Sequence, residues 1–346
     1  MGPPARVSVV IPCYNYARFL GAAVGSVLAQ EDVQVDVVIV DDASTDDSLD
    51  LAQVLSTADD RIRVIKHSQN KGPVVTFNDG LAETDGEFIV RLDADDMLTP
   101  GSLSRSVALA RAWPSVGLVY GHPIHFEGAP AKSVRTTARS WTVWPGAEWL
   151  QRRCAAGKNV ITAPEALMRA AVVDEVGGQQ PLAHSHDMEM WMRISAHSDV
   201  GHIEGADQAW HRDHDLSLSA REVNMVSDLF DRREAFEVLF AADLPSKIQS
   251  GRLSRKAKEA LAIEALTRAC HLYDRGRGTE DAVLELLEFA NQTWPGSTGS
   301  RQWRALQRRI RIGTQLVPHL PWYVAQAALR RFVGEAEYHR WSRDGV

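Results

Sequence analysis

Four short apolar runs, each rich in β-branched residues and three followed by a segment of helical spacing, constrain this chain more than any other feature in it. They are Val7–Ile11 (VSVVI), Val35–Val40 (VDVVIV), Ile62–Ile65 and Phe88–Val90. Continuous apolar runs of this kind suit strands covered on both faces. Between them, Phe19, Leu20, Ala23, Val24, Val27 and Leu28 recur at helical spacing, as do Leu51, Val54 and Leu55, and then Val74, Phe77 and Leu81. Strand, helix, strand, helix predicts βαβ units and an α/β, doubly wound, mostly parallel sheet flanked by helices. Ligands of such sheets bind beyond the carboxyl ends of the strands. Three of these ends carry polar groups: Tyr14-Asn15, Asp41-Asp42, and the trio Asp93, Asp95 and Asp96 around Ala94. Acids crowded at the end of a buried strand repel one another. A hard divalent cation, Mn²⁺ or Mg²⁺, would offset that repulsion and share its oxygen ligands with phosphates; the plain alternative is a solvated acidic turn. Neither the dinucleotide fingerprint nor a P-loop follows the first strand.

The 346 residues leave room for one large domain and a smaller helical one. The middle is less regular. Residues 121–146 read as a long loop, Gly117–Tyr120 and Val160–Ala163 as short strands, and Asp187–Ala196 as a helix. Ile203 and Gln208–Trp210 are weak strand candidates. From Glu222 the pattern is helical. Cys13, Cys154 and Cys270 lie too far apart for a zinc motif and suggest no disulfide framework, so the expectation is a reducing, cytoplasmic setting. The sequence shows no signal-peptide pattern and no apolar stretch of membrane-spanning length. A formal charge of -7 argues against a nucleic-acid partner.

The order of motifs resembles the family 2 glycosyltransferases of the GT-A fold. Across roughly residues 7–220 the pieces are VSVVIPCYN, VIVDDASTDDS, NKGPVVTFNDGLAETDGEFIVRLDADD, VGG, HDMEMWMRI and WHRDHDLSLS. The resemblance implies an inverting enzyme using a nucleotide-sugar, with UDP-sugar as the expected donor, and an acceptor hydroxyl on a glycan, a lipid-linked molecule or a small molecule. It places Pro12, Tyr14 and Asn15 at the base or ribose, Asp41 facing the base with Asp42 beside it, and Asn70, Lys71 and Gly72 in a turn next to the nucleotide. Asp42 capping the next helix is the competing role. Asp93 falls near the ribose and, with Ala94 between, Asp95 is the direct metal ligand; Asp96 and His214 are further candidates for the metal. Asp187 falls on the general base and Glu189 is its understudy, while His186 stands where the family usually has an acid. Arg212 would clamp the diphosphate, and Ser217 would add a hydroxyl. The expected organisation is a catalytic domain over 1–221, with a nucleotide-sugar half to about 122 and an acceptor half after it, and a helical extension over 222–346.

Residues 301–346 hold nine arginines against three acids. A basic amphipathic stretch of this kind fits peripheral contact with the inner membrane face or homodimerisation; a packed helical arm with Leu316, Val317, Leu320, Trp322 and Val324 inside is the alternative. Two rival functions remain open on the sequence. A sugar-phosphate nucleotidyltransferase would need a Gly-rich, Arg-containing loop where this chain has PCYN, and a non-catalytic sugar-nucleotide or glycan-binding module would have no use for the intact acids.

Overall fold

The computed structural model describes residues 3–130, 133–214 and 224–344. The four apolar runs are strands β1 (Ala5–Cys13), β2 (Val33–Asp41), β3 (Ile62–Lys66) and β4 (Phe88–Arg91). Helices α1 (Ala17–Leu28), α2 (Ser48–Ala58) and α3 (Pro73–Leu81) connect them. These strands pair in parallel in the order β3-β2-β1-β4, with Val7–Ile11 opposite Val35–Ile39. Val7, Val9, Ile11, Val37 and Ile39 are fully buried against Leu20, Ala23, Val24 and Val27 of α1. Such side chains contribute about 1.5–3 kcal/mol each on burial, which is why the runs are apolar without alternation.

The sheet continues β4-β8-β6-β9-β5, with β7 against β9. Here β5 is Met97–Leu98, β6 Val116–Phe126, β7 Ser140–Trp144, β8 Leu167–Arg169 and β9 Asp199–Arg212. The long pairings are parallel, including β6 with β9; β8 is an antiparallel insert between β4 and β6. Helices α4 (Ser102–Ala112), α5 (Gly146–Ala156), α6 (Ala170–Val176) and α7 (His186–His197) complete this half. Three expectations need correcting. The predicted loop over 121–146 contributes the end of β6 and all of β7; the strand expected at Val160–Ala163 forms at Leu167–Arg169 instead; and the two weak candidates near 203 and 208 are one strand, β9. The long strand was hidden because Asp207 and Gln208 are buried polar residues, satisfied by Arg135 and by Arg105, Ser102 and Ser106.

The chain divides into two compact units; among described residues the first holds 3–130, 133–150, 159–214 and 342–344, the second 151–158 and 224–341. The second is helical: α8 (Ser227–Ala241), α9 (Ser250–Asp274), α10 (Asp281–Thr293), α11 (Arg301–Ile312) and α12 (Pro321–Asp344). Buried Arg232 joins α8 to Glu264 of α9, and buried Arg309 of α11 pairs with Asp274 at 2.7 Å. The packed-arm expectation holds for Val317 alone of its five residues. Leu316, Leu320, Trp322 and Val324 are exposed, as are Leu329, Phe332 and Val333 further along α12. Cys13, Cys154 and Cys270 are buried and unbridged. Among the described residues no helix is long and apolar enough to cross a membrane.

Candidate functional site

The carboxyl end of β1 is tied to the loop after β2. Asn15 sits in the left-handed region at φ 60°, where asparagine is better tolerated than most residues. Its Oδ1 accepts the backbone N–H groups of Thr45 (2.7 Å) and Asp46 (3.3 Å), and its own N–H donates to Ser44 Oγ (3.0 Å). Asn15 therefore shapes the loop, and exposed Tyr14 is left as the ring available to a planar ligand. Pro12 is half-buried just before them.

The adjacent acids of β2 divide their work. Both oxygens of Asp42 are taken: Oδ1 lies 2.7 Å from His67 Nδ1 and accepts Lys71 N–H (2.8 Å), while Oδ2 accepts Gly72 N–H (2.9 Å). Asn70 donates to the Asp42 carbonyl, and Lys71 Nζ reaches Asp79 at 2.8 Å. Asp42 thus builds the 70–72 turn that starts α3. The competing role, capping α2, is not taken by Asp42; Asp46 accepts the N–H of Ser48 at the start of that helix. Asp41 is buried too, but only its Oδ2 is bonded, to Ser44 N–H (3.2 Å); Oδ1 has no hydrogen-bond partner among the described residues. A buried oxygen left this way costs about 1–3 kcal/mol, so a ligand N–H or O–H at Asp41 recovers it.

At the end of β4 the three acids occupy three environments. Asp96 is buried, with Oδ1 accepting Arg212 N–H (2.8 Å) and Oδ2 3.0 Å from His211 Nδ1. Both oxygens of Asp96 thus brace the end of β9. Asp95 is buried with Oδ2 2.8 Å from His214 Nε2. Burial, reinforced by repulsion from Asp93, pushes its carboxyl above the ordinary range, and His214 opposes this only in part. Ala94 is buried, and Asp93 is half-exposed. A buried carboxylate whose charge its surroundings resist, an imidazole in contact with it and a second carboxylate nearby form a donor set that fits a divalent cation. Arg212 lies between the rings of Phe19 and Phe126, 4.3 and 4.5 Å from their centroids. Its Nε and Nη1 donate to the carbonyls of Asp95 (3.0 Å) and Gly128 (2.7 Å). Of the guanidinium nitrogens, only Nη2 makes no hydrogen bond among the described residues.

Arg91 closes β4, buried, and its role was missed. Its Nε donates to Asp93 Oδ1 (3.1 Å), and Nη1 donates to Gln179 Oε1 (2.9 Å) and Asp187 Oδ1 (3.0 Å). Burial works against the Arg91 charge, but Asp187 and Asp93 outweigh it and hold the guanidinium above its ordinary pKa. Gln179 Nε2 also donates to Asp187 Oδ1. The Gln179 backbone is held from both sides by Asn78, which accepts its N–H at 2.8 Å and donates to its carbonyl at 2.9 Å. The available signal was a charge closing an apolar strand, which requires acid partners.

Asp187 lies in the first turn of α7, where a carboxylate is favoured by the helix dipole. Glu189 is fully buried and pairs with Arg193 at 2.8 Å, and Arg193 donates to the carbonyls of Val176, Gly177 (3.0 Å) and Gly178 (2.7 Å). Glu189 therefore anchors the glycine turn through Arg193. His186 is buried beside Asp187, and burial lowers its pKa. Trp191 is in the core. Ser217 lies outside the described residues.

This arrangement puts unsatisfied or paired acids of β2, β4 and α7 at one end of a parallel sheet. Residues 8–177 match the family profile described as Glycosyl transferase family 2. The chain carries a family 2 glycosyltransferase domain. A glycosyltransferase of Nostoc sp., itself uncharacterised, is 42% identical over 116 residues, 33% of this chain and 36% of that protein. The GalNAc(5)-diNAcBac-PP-undecaprenol beta-1,3-glucosyltransferase of Campylobacter jejuni is 35% identical over 100 residues, 29% of this chain and 32% of its own. The chain spans about a third of the length of these curated relatives. Among solved structures, S. aureus TarS in complex with UDP-GlcNAc superposes with TM-score 0.55 at 15% identity, covering 90% of each chain. That likeness places the family 2 glycosyltransferase domain in a GT-A-like, mostly parallel sheet with helices after it.

Proposed function

We propose that this chain transfers a sugar from a nucleoside diphosphate sugar, with UDP-sugar as donor, to an acceptor hydroxyl with inversion. The observation that carries the reading is Arg91, a buried cation bonded at once to Asp93 on the donor side and to Asp187 on the acceptor side. UDP is favoured because the uracil imide N–H matches the unpartnered Oδ1 of Asp41 and because TarS was solved with UDP-GlcNAc. Tyr14 and Pro12 would border the base, and the 70–72 turn built on Asp42 would border the nucleotide. Asp95 and His214, with Asp93, would hold a divalent cation, Mn²⁺ or Mg²⁺, which when bound offsets charge on the diphosphate.

Asp187 accepts the proton of the acceptor hydroxyl as its oxygen bonds to the anomeric carbon. The bond from that carbon to the diphosphate oxygen breaks, and the electron pair leaves with the nucleoside diphosphate. Arg91 and Gln179 both bond Oδ1, which fixes the carboxylate and leaves Oδ2 to act as base. Arg212 Nη2 would meet the leaving phosphate. The acceptor is a glycan or lipid-linked hydroxyl, as the printed name of the Campylobacter relative suggests. Residues 1–221 would be the catalytic domain and 222–346 an accessory helical one. The exposed Trp322, Leu329 and Phe332 of α12, in an arginine-rich segment, would rest on an anionic membrane face.

Incubation with a panel of nucleotide-sugars and Mn²⁺, read by thermal stabilisation and by release of the nucleoside diphosphate, tests this. Stabilisation by one UDP-sugar with slow, EDTA-sensitive UDP release is expected. Binding without any release would favour a non-catalytic module, and absence of nucleotide binding would refute the donor reading.

A further inference from the structure

Outside the donor acids, His125, His211 and Asp213 place one ligand atom each within 4.8 Å of one another. The grouping is built into the sheet. His125 on β6 is in parallel register with His211 on β9, so their side chains share a face, and their rings meet edge to face at 5.0 Å. Asp213 follows directly, its N–H bonded to the Phe126 carbonyl at 2.9 Å, and its Oδ2 is 3.2 Å from His125 Nδ1. A tetrahedral zinc-type ion with bonds of about 2.0 Å needs ligand atoms about 3.3 Å apart, so only small side-chain adjustments at this surface separate the cluster from a three-ligand site.

The second observation lies behind His211. Its Nδ1 is held at 3.0 Å by the buried carboxylate of Asp96, which turns Nε2 outward. A carboxylate behind the metal-bound imidazole is the arrangement that orients a histidine ligand and raises its basicity. The Asp96 carboxylate favours positive charge on this ring, and a cation at Nε2 would supply it. Two imidazoles and one carboxylate select a borderline ion over the hard Mg²⁺ or Ca²⁺.

We infer that His125, His211 and Asp213 form a second metal site, for a zinc-class divalent ion, separate from the Asp95 site. Two of its ligands, His211 at the end of β9 and Asp213 just after it, bracket Arg212 and directly precede His214, so an ion here would fix the segment that carries both. The inference does not depend on the donor reading, since it concerns metal binding alone.

Cobalt(II) titration of the full chain at fixed pH tests it, because nitrogen-ligated four-coordinate Co²⁺ has strong visible bands that an oxygen-ligated six-coordinate ion lacks. Wild type and Asp95→Asn should both show the bands, with Zn²⁺ competing them away. His125→Ala and Asp213→Asn, with circular dichroism unchanged, should each bind Co²⁺ at least tenfold more weakly. Absence of the bands in wild type, their survival in both His125→Ala and Asp213→Asn, or their loss in Asp95→Asn would overturn the site.

Discussion

Replacing Arg91 by Met tests the coupling between the two sides of the site. The change keeps an unbranched apolar stem but removes a guanidinium that bonds Asp93 at 3.1 Å, Gln179 at 2.9 Å and Asp187 at 3.0 Å. Each hydrogen bond to a carboxylate is worth about 1.5–3 kcal/mol, giving about 3–6 kcal/mol for the two acids. Their side chains are 36% and 22% exposed, so water recovers part of this and about 3 kcal/mol remains. For a unit of this size that is a fall in Tm of roughly 6–12 °C. Activity should suffer more than stability. Asp187 loses one of two bonds that orient it, and a misplaced catalytic group costs about 10²-fold in kcat. Arg91→Lys keeps the charge and loses the fork, so it should recover more of the stability than of the kcat. Differential scanning fluorimetry and donor-saturated kinetics measure the two effects separately. A full-rate Arg91→Met enzyme, or one whose Tm moves by less than about 2 °C, would refute the argument that this cation organises the site.

Asp187→Asn should lower kcat by about 10²-fold or more with little change in donor affinity, the pattern of an interaction made in the transition state. Glu189→Gln should behave oppositely: about 3 kcal/mol of stability lost from the buried pair with Arg193, with the folded fraction still turning over. Asp95→Asn should abolish the metal-dependent part of UDP binding in calorimetry, and unchanged metal-assisted affinity would remove Asp95 from the ligand set. Leu329→Ser with Phe332→Ser on exposed α12 should reduce co-sedimentation with anionic vesicles at low salt while leaving donor binding intact; a dimer that dissociates in the double variant would assign the face to a second copy instead.

Strands β1, β2 and β4 were legible because nearly all of their positions are buried, so their runs are almost wholly apolar; edge strand β3, with Arg63 and Lys66 exposed, was legible from Ile62, Val64 and Ile65. The far half of the sheet was not, because β9 buries Asp207 and Gln208 and satisfies them with Arg135 and Arg105, residues about seventy to a hundred positions away. Similar reasoning separates the parts of the site. The acids stood out as charges at strand ends. Their partners did not: Arg91 reaches Asp187 and Asn78 grips Gln179 only after the sheet has brought them together. Spacing alone could not separate Asp187 from Glu189, and the pairing of Glu189 with Arg193 in the core favours the proposal of Asp187.

The division of labour between Asp41 and Asp42 bears on how such a domain diversifies. Asp42 fastens His67 and the backbone of Lys71 and Gly72, so its replacement loosens a turn whatever nucleotide is present. Asp41 keeps one oxygen without a hydrogen bond among the described residues, so on the proposed donor reading its replacement would alter what the site recognises while that turn stays in place. Neighbouring positions therefore answer to different selective pressures. Among descendants that change nucleotide, position 41 is expected to drift with the base, and position 42 to stay locked to position 67.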